Sequence, residues 1–257
     1  MKYLRWVVAN LLAVAGFALL VRLGFWQLDR LDQRRDFNRR VQAQQEAPAL
    51  TLAGDALSLD LAAMEYRSVE VAGVFDFSEE VALRNQSYLG RPGYRLLTPL
   101  VIEESNRAVL VDRGFVPASD YEPGEWRQFA EEEAAQVQGV IRASQAEPDF
   151  GGRVDPTPLA GEELRVWSLV DTDRIAAQTP YDLLPVFIQQ SPPEGQPDLV
   201  EFPDSYPLRT RPALELDEGP HLGYALQWFT FAAILAFGFP ILMLRDLRRV
   251  KLENGSG

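Results

Sequence analysis

The single histidine of the chain, His221, stands at the start of its longest apolar run, in the segment HLGYALQWF. Tyr224, Ala225 and Trp228 follow at i+3, i+4 and i+7, which is one face of an α-helix. An imidazole in this setting can serve as an axial ligand to haem iron or as a ligand to copper. The same residues also suit a plain membrane border, where Trp and Tyr gather because their rings are apolar and their polar atoms need water. Spacing alone leaves both interpretations open.

A second polar and aromatic cluster lies where the first apolar run ends. The segment LGFWQLDR, residues 23–30, places Trp26 and Gln27 at the exit of that helix. If both borders lie on the same side of the membrane, this cluster and the one around His221 can face each other. Together they would form an amphipathic pocket at the depth of the lipid–water interface.

Other kinds of catalytic chemistry find little support in the sequence. With no cysteine and one histidine, a Cys–His or multi-His site cannot be built within the chain. Paired carboxylates occur at Glu103-Glu104 and at residues 131–133, but both pairs sit in charged surface segments. There is no G-x-S-x-G elbow and no Gly-rich phosphate loop after a strand. We therefore expect a protein that is not an enzyme.

Two apolar runs, residues 6–25 and 222–244, are long enough to cross a bilayer. About 20 helical residues at about 1.5 Å rise span a hydrocarbon core of about 30 Å. The first run could also be a signal peptide, since an Ala13-Val14-Ala15 triplet mimics a cleavage site. Because the run continues past the triplet and no small-residue site follows, we expect an uncleaved anchor. The predicted organisation is an N-terminal segment, a first span, a helical extension, a central domain, a second span and a basic tail: residues 1–5, 6–25, 26–47, 48–220, 222–244 and 245–257.

Charge is distributed unevenly along the chain. Residues 1–45 carry a net charge of +5 and residues 221–257 a net charge of +2. Because the whole chain carries −12, residues 46–220 carry −19. An acidic central domain would repel phosphate, which argues against nucleic acid as a partner. Basic residues directly after the second span predict a cytoplasmic C-terminus, and with two spans the N-terminus follows. Five arginines just after the first span favour the opposite insertion, although long domains cross largely regardless of charge. We expect both termini in the cytoplasm and the central domain outside an inner membrane.

The central domain has the pattern of a β-rich fold. Apolar and polar residues alternate in YRSVEVAGVF, residues 66–75, and six more strand candidates follow at spacings set by turn residues. These are residues 81–87, 94–102, 108–116, 136–144, 165–170 and 184–190. Short helices are predicted at residues 124–135 and after an N-cap at Asp171 or Thr172. The expected fold class is an α+β membrane protein, in which two transmembrane helices flank an antiparallel β-rich domain, a curled sheet or partial barrel.

Four segments in this order resemble the surfeit locus protein one family, whose members are assembly factors for haem-copper cytochrome c oxidase. They are LGFWQLDRLDQRR after the first span, GYRLLTPL at residues 93–100, VLVDRGFVP at residues 109–117, and HLGYALQWF at residue 221. Each motif is weak alone. Their order, combined with the two-span layout, makes the resemblance specific.

The resemblance implies a β-rich domain on the outer face of the membrane and no catalytic activity. It also implies an interaction with haem a, with oxidase subunit I and other oxidase biogenesis factors, and with membrane lipid. Carried over position by position, the candidate haem ligand is His221, and the motif residues beside it are Tyr224, Trp228, Trp26, Gln27 and Arg30. In the central domain Gly93, Tyr94, Arg113 and Gly114 match family positions that are structural or partner-facing. The loop at residues 149–163 has no counterpart.

Haem chemistry is compatible with this placement, since the ring is apolar and its propionates are anionic. Propionates at an interface would pair with arginine, for which Arg22, Arg30, Arg209 and Arg211 are candidates that could equally contact lipid headgroups. The alternative hypothesis is a two-span scaffold that binds no haem and holds a partner protein through its outer domain, with His221 only a boundary residue.

Overall fold

The computed structural model describes residues 2–118, 125–148, 152, 154–157, 162–193, 195, 206–212 and 214–254. In chain order its regular elements are α1 (Lys2–Glu46), β1 (Leu50–Thr51), β2 (Ser68–Phe75), β3 (Val81–Tyr88), β4 (Arg91–Ile102), β5 (Arg107–Pro117), β6 (Ala134–Ala143), β7 (Val166–Trp167), α2 (Thr172–Ala176), β8 (Asp182–Gln190) and α3 (His221–Asn254). The chain divides into two compact units. One combines Met1–Arg40 with Glu215–Gly257, and the other is Val41–Leu214.

The first unit is formed by the two long helices. Both α1 and α3 are long and apolar enough to cross a membrane, by length and composition. The predicted polar extension of the first span is confirmed, because α1 continues without a break to Glu46. Its Arg, Gln and Asp residues favour or tolerate a helix, and no Gly or Pro interrupts the chain between Gly24 and Pro48.

The two helices run antiparallel and touch through small residues of α1. A Cβ at Gly16 would lie 3.4 Å from Leu235, and one at Gly24 would lie 2.5 Å from the ring of Phe229. The rings of Phe25 and Phe229 meet edge to face at 5.4 Å between centroids. Gly16 and Gly24 therefore serve packing between α1 and α3, because small residues let two helices approach closely.

The second unit contains a closed barrel of five strands. The hydrogen-bonded order is β2–β6–β8–β5–β4, and β4 returns to β2 through pairing of Gly73 with Ile102 and Phe75 with Leu100. Strands β1, β3 and β7 extend the sheet beside the barrel. Most pairs are antiparallel, but β1–β2, β3–β7 and β5–β8 are parallel. Closure leaves the five barrel strands with no unpaired edge along the ring, which removes a site for unwanted strand addition.

The barrel core consists mainly of buried aliphatic side chains. Alternate residues of β2, β4, β5, β6 and β8 meet in one cluster, which includes Val71, Leu100, Val111, Ile141 and Ile188. A second cluster on the other face of β4 and β5 surrounds the buried Trp167. Burial on both faces explains why β5 reads as a continuous apolar run rather than a strict alternation.

Each predicted strand corresponds to an observed one, and the ends of most strands differ by no more than three residues from the prediction. The exception is β7, which is shorter than the strand predicted at residues 165–170. The helix predicted after Asp171 is also confirmed, and the Asp171 side chain accepts a hydrogen bond from the Arg174 amide at 3.1 Å. The helix predicted at residues 124–135 is wrong. Only Glu125–Phe129 forms a helical turn, of the 3-10 type, and β6 begins at Ala134 because that segment pairs with β2.

Candidate functional site

The two sequence motifs at the membrane borders meet through one side-chain hydrogen bond. His221 Nδ1 lies 2.9 Å from Gln27 Oε1, although the residues are 194 positions apart. His221 is the first residue of α3, and Gln27 lies in α1 at the end of its apolar run. The predicted meeting of the two clusters is therefore observed for this pair.

The hydrogen bond to Gln27 indicates which nitrogen of the neutral imidazole carries the proton. The amide oxygen of Gln27 accepts, so Nδ1 carries the proton and Nε2 holds a lone pair in the neutral ring. Among the described residues no hydrogen-bond partner is found for Nε2, and Gly219 lies beside this nitrogen. A Cβ at Gly219 would lie 3.6 Å from Nε2, and a side chain there would narrow the approach. An imidazole whose Nδ1 is held by a side-chain oxygen matches the orientation found at metal-ligating histidines.

The remaining residues of the HLGYALQWF face divide into two groups. Ala225 is buried and Trp228 partly buried, with the Trp228 ring 6.1 Å from that of Phe231. Tyr224, by contrast, is 48% exposed. Tyr224 is therefore more exposed than its helical spacing from His221 predicted.

On α1 the predicted residues form an exposed aromatic and cationic surface. Trp26 is 47% exposed, and the Arg30 guanidinium carbon lies 5.6 Å from the centre of its ring. Arg30 also donates to Gln33 at 3.1 Å, and Gln33 donates to Asp29 at 2.9 Å. An apolar ring with a cation at its rim suits a flat, apolar ligand that carries anionic groups.

The other arginines considered for an anionic group are placed differently. Arg22 lies exposed on α1, within the apolar run. Arg209 donates to both carboxylate oxygens of Glu131, at 2.6 and 2.5 Å, so its charge is already matched. Arg211 also has an interaction partner. Arg30 is the predicted arginine that directly adjoins the motif residues Trp26 and Gln27.

Sequence reasoning missed a set of polar contacts just before α3. Arg34 donates to the carbonyl oxygens of Glu215 and Asp217, the latter at 3.1 Å. Asn38 donates to the carbonyls of Leu216 and Asp217 at 2.7 and 3.3 Å. In the sequence, Arg34 and Asn38 are simply polar residues seven and eleven positions after Gln27 on the same helix. This spacing gave no indication that they bind the backbone before α3.

An ion pair closes the same loop. The guanidinium of Arg35 binds both carboxylate oxygens of Glu218, each at 2.8 Å. Hydrogen bonding from Arg35, reinforced by its charge, outweighs desolvation and lowers the pKa of the Glu218 carboxyl. Both side chains are about half exposed, so the pair contributes little stability by itself.

Comparison with known proteins supports the resemblance found in the motifs. The family model described as SURF1 family matches residues 14–233, which includes both apolar runs in large part and the whole barrel unit. The chain belongs to the SURF1 family.

Individual relatives agree along most of their length. A SURF1-like protein of Rickettsia felis is 28% identical over 228 residues, covering 88% of this chain and 92% of the relative. A SURF1-like protein of Monosiga brevicollis is 26% identical over 223 residues, covering 82% and 78%. Surfeit locus protein 1 of Gallus gallus is 25% identical over 230 residues, covering 84% and 69%.

The SURF1 motifs of the central domain hold the barrel together. Arg113 is fully buried and bonded to Glu80. Gly114 has a φ of +135°, and a Cβ there would lie 2.5 Å from the Leu208 carbonyl. A Cβ at Gly93 would lie 2.2 Å from the Val116 carbonyl, and Tyr94 packs 6.0 Å from the Trp126 ring. These positions are structural in this SURF1 protein.

The loop at residues 149–163 is described only in part, since residues 149–151, 153 and 158–161 lie outside the described residues. Within it, the Asp155 carboxylate is buried and accepts hydrogen bonds from the Ser168 amide at 2.7 Å and from Arg84 at 3.1 Å. This part of the loop is thus anchored to the barrel unit.

A separate cleft of about 550 Å³ opens beside β2 in the barrel unit. Its lining includes Phe75, Phe77, Asp76, Arg127 and Tyr181. The Tyr181 hydroxyl donates to Asp76 at 2.7 Å, and this bond, with burial, raises the pKa of Tyr181 to about 12. Burial raises the pKa of Asp76, but hydrogen bonds from Ser78 and Tyr181 outweigh it, so the net shift is downward. The Tyr181 hydroxyl and the Asp76 carboxylate therefore serve as hydrogen-bond partners for each other.

Proposed function

We propose that this SURF1 protein is a membrane-anchored assembly factor for haem-copper cytochrome c oxidase, and that it holds haem a during delivery to oxidase subunit I. The observation that carries the proposal is the hydrogen bond from His221 Nδ1 to Gln27, which leaves Nε2 available. The order of the family motifs and the family match support the oxidase role.

Haem a, as the cargo, would bring a ferric or ferrous iron with open axial positions. His221 Nε2 would bind the iron, and Gln27 would keep the ring in the tautomer that can do so. The exposed Trp26 would cover part of the ring, and Arg30 would pair with a propionate at the water border. A single imidazole from the chain suits a carrier, because a site with one protein ligand releases its cargo more readily than one with two.

The proposed membrane arrangement places α1 and α3 across the inner membrane with both termini in the cytoplasm. The barrel unit then lies in the periplasm, and oxidase biogenesis factors would meet it there. The basic residues that follow the apolar run of α3 support this orientation, since positive charge is enriched on the cytoplasmic side. The net charge of −19 over residues 46–220 also keeps the barrel unit away from anionic lipid.

The second candidate function is a scaffold that binds no haem and grips a partner protein through its outer domain. The specific observation in its favour is the cleft beside β2, with an exposed Val74 and the charged side chains of Arg127 and Glu133 along its lining. Apolar surface framed by charge is typical of protein interaction sites.

An optical spectrum separates the two candidates. The full-length protein is purified in detergent from cells that make haem a, alongside His221→Ala, Gln27→Leu and the control Thr230→Ala. Thr230 lies on the same helix, and its hydroxyl bonds only within that helix, to the Leu226 carbonyl at 2.8 Å. We expect a Soret band in the wild type and in the control, and its loss in His221→Ala. Gln27→Leu should weaken haem affinity by about 10- to 100-fold, the usual cost of losing a histidine's hydrogen-bond partner.

Wild-type haem occupancy retained in His221→Ala would contradict the ligand role while leaving an assembly role intact. The assembly role has its own readout, since deletion of the gene should lower oxidase activity and subunit I haem content in membranes. Normal oxidase in the deletion strain would contradict the proposed function as a whole.

A further inference from the structure

The polar half of α1 carries one buried stripe that leads away from Gln27. Leu31, Arg34 and Asn38 follow Gln27 at intervals of four, three and four residues, which keeps them on one helical face. Leu31 and Asn38 are buried, with 3% and 7% of their surface exposed, and Arg34 is partly buried. The intervening Asp32, Gln33, Arg35 and Asp36 are exposed. This face therefore has a packing partner, and its polar members show what the partner is.

The partner is the backbone of the loop that leads into α3. Three consecutive carbonyl groups, those of Glu215, Leu216 and Asp217, accept hydrogen bonds from Arg34 or Asn38. Each of the two side chains bridges two carbonyls. A carbonyl oxygen needs a donor when it is shielded from water, and Arg and Asn supply donors at fixed geometry. The 215–217 segment is thus held to α1 through its main chain, in addition to the side-chain ion pair between Glu218 and Arg35.

Little conformational freedom separates this fixed loop from His221. Gly219 donates its amide to Asp217 Oδ1 at 3.1 Å, and Pro220 has a restricted φ. The Pro220 carbonyl then accepts the Tyr224 amide at 3.1 Å, which starts the helix. Four residues after Asp217, the imidazole of His221 reaches Gln27. Three attachments to α1 therefore hold the segment that leads into α3: the carbonyl contacts of Arg34 and Asn38, the ion pair of Arg35 with Glu218, and the hydrogen bond of Gln27 with His221.

We propose that Arg34 and Asn38 are positioning residues, which dock the 215–217 backbone on α1 so that His221 Nδ1 meets Gln27 and Nε2 keeps its lone pair. Their relevance to haem rests on the proposed function, but the positioning itself concerns residues of this chain alone. Loss of the docking lets the first turn of α3 shift, and a shift of about 1 Å is enough to break a hydrogen bond of 2.9 Å.

Because the chain has one histidine, incorporation of ¹⁵N-histidine gives a single pair of ring signals to follow by NMR. These signals distinguish the Nδ1-protonated from the Nε2-protonated ring, and they require no haem. The apo protein is compared in detergent at mildly alkaline pH with Asn38→Asp and Arg34→Met. Asn38→Asp keeps the shape of the side chain but replaces its donor with an acceptor. The matched control is Arg39→Met, next along the same helix, where the exposed arginine pairs only with Asp36.

We expect the wild type and Arg39→Met to show one ring form, protonated at Nδ1. Asn38→Asp and Arg34→Met should show the mixed, averaged signals of a histidine in water, and their haem affinity should fall about tenfold while the thermal unfolding of the barrel unit is unchanged. Wild-type ring signals in both variants would overturn the inference. If the signals shift as expected but the wild type takes up no haem a, the proposed haem-holding role fails and the positioning role stands. If the wild type binds haem and the ring signals do not shift, the positioning role alone fails.

Discussion

Arg113 offers a sharp test of how the barrel is held together, because a full positive charge lies inside it. The side chain has 0% exposure and donates to Glu80 Oε2 at 2.5 Å, to Thr98 Oγ1 at 2.9 Å and to the Phe129 carbonyl at 2.7 Å. Its guanidinium carbon also lies 4.8 Å from the centre of the Phe77 ring. Glu80 is itself only 6% exposed, so each charge depends on the other for compensation.

The substitution Arg113→Met keeps the apolar stem and removes the charge and every donor. It leaves the Glu80 carboxylate buried without a cation, a change that costs about 3–5 kcal/mol in buried ion pairs. For a unit of this size about 1 kcal/mol shifts the melting temperature by about 2–4 °C, so we expect a fall of about 6–20 °C. Replacing both partners, in Glu80→Leu with Arg113→Met, should recover much of this loss, because no unpaired charge then remains.

Thermal unfolding of the full-length protein in detergent, followed by near-ultraviolet circular dichroism, measures the effect. The buried rings of Trp126 and Trp167 report on the barrel unit. The control is Glu163→Gln, which removes the exposed ion pair with Arg165 and should cost at most about 1 kcal/mol. The reasoning is refuted if Arg113→Met is no more harmful than this control, or if the double variant melts no higher than Arg113→Met. Either result would instead favour the alternative that Arg113 serves to contact a partner protein.

Two further predictions concern the helices. In Gly24→Val a Cβ would stand 2.5 Å from the Phe229 ring, so α3 should move away from α1 and the ¹⁵N signals of His221 should lose the Nδ1-protonated form. The control Gly223→Ala, where nothing lies within 4 Å of the added Cβ, should leave these signals unchanged. Equal behaviour of the two variants would contradict the proposed helix contact. A reporter enzyme that is active only in the periplasm should be inactive when fused after Gly257 and active when inserted between Glu104 and Ser105, at the turn that joins β4 and β5. Activity of the fusion after Gly257 would reverse the proposed orientation.

Features that depend on short stretches of chain were predictable from the sequence. Length and apolar composition located both long helices, and alternation located the strands, because burial on a sheet face repeats every two residues. The N-cap at Asp171 followed from a side chain that reaches an amide three residues on. The helical period placed His221, Tyr224, Ala225 and Trp228 on one side of α3; three of them are buried or partly buried in the structure, whereas Tyr224 is 48% exposed. The helix predicted at residues 124–135 was also wrong, because β6 gains more stability from pairing with β2 than a Glu-rich helix would gain alone.

What only the tertiary structure decided is which distant surfaces meet. The return of β4 to β2, which closes the barrel, and the parallel pairing of β5 with β8 join segments whose local patterns are the same in an open sheet. In the same way, the sequence predicted that the cluster with Gln27 could face the cluster with His221, but only the structure showed these two side chains 2.9 Å apart. Arg34 and Asn38 gave no local sign of their partners, because a backbone carbonyl has the same chemistry in every residue that could offer one. The sequence by itself therefore determined the elements and the identity of the one candidate imidazole, while three-dimensional packing determined which nitrogen of that ring is hydrogen-bonded to Gln27.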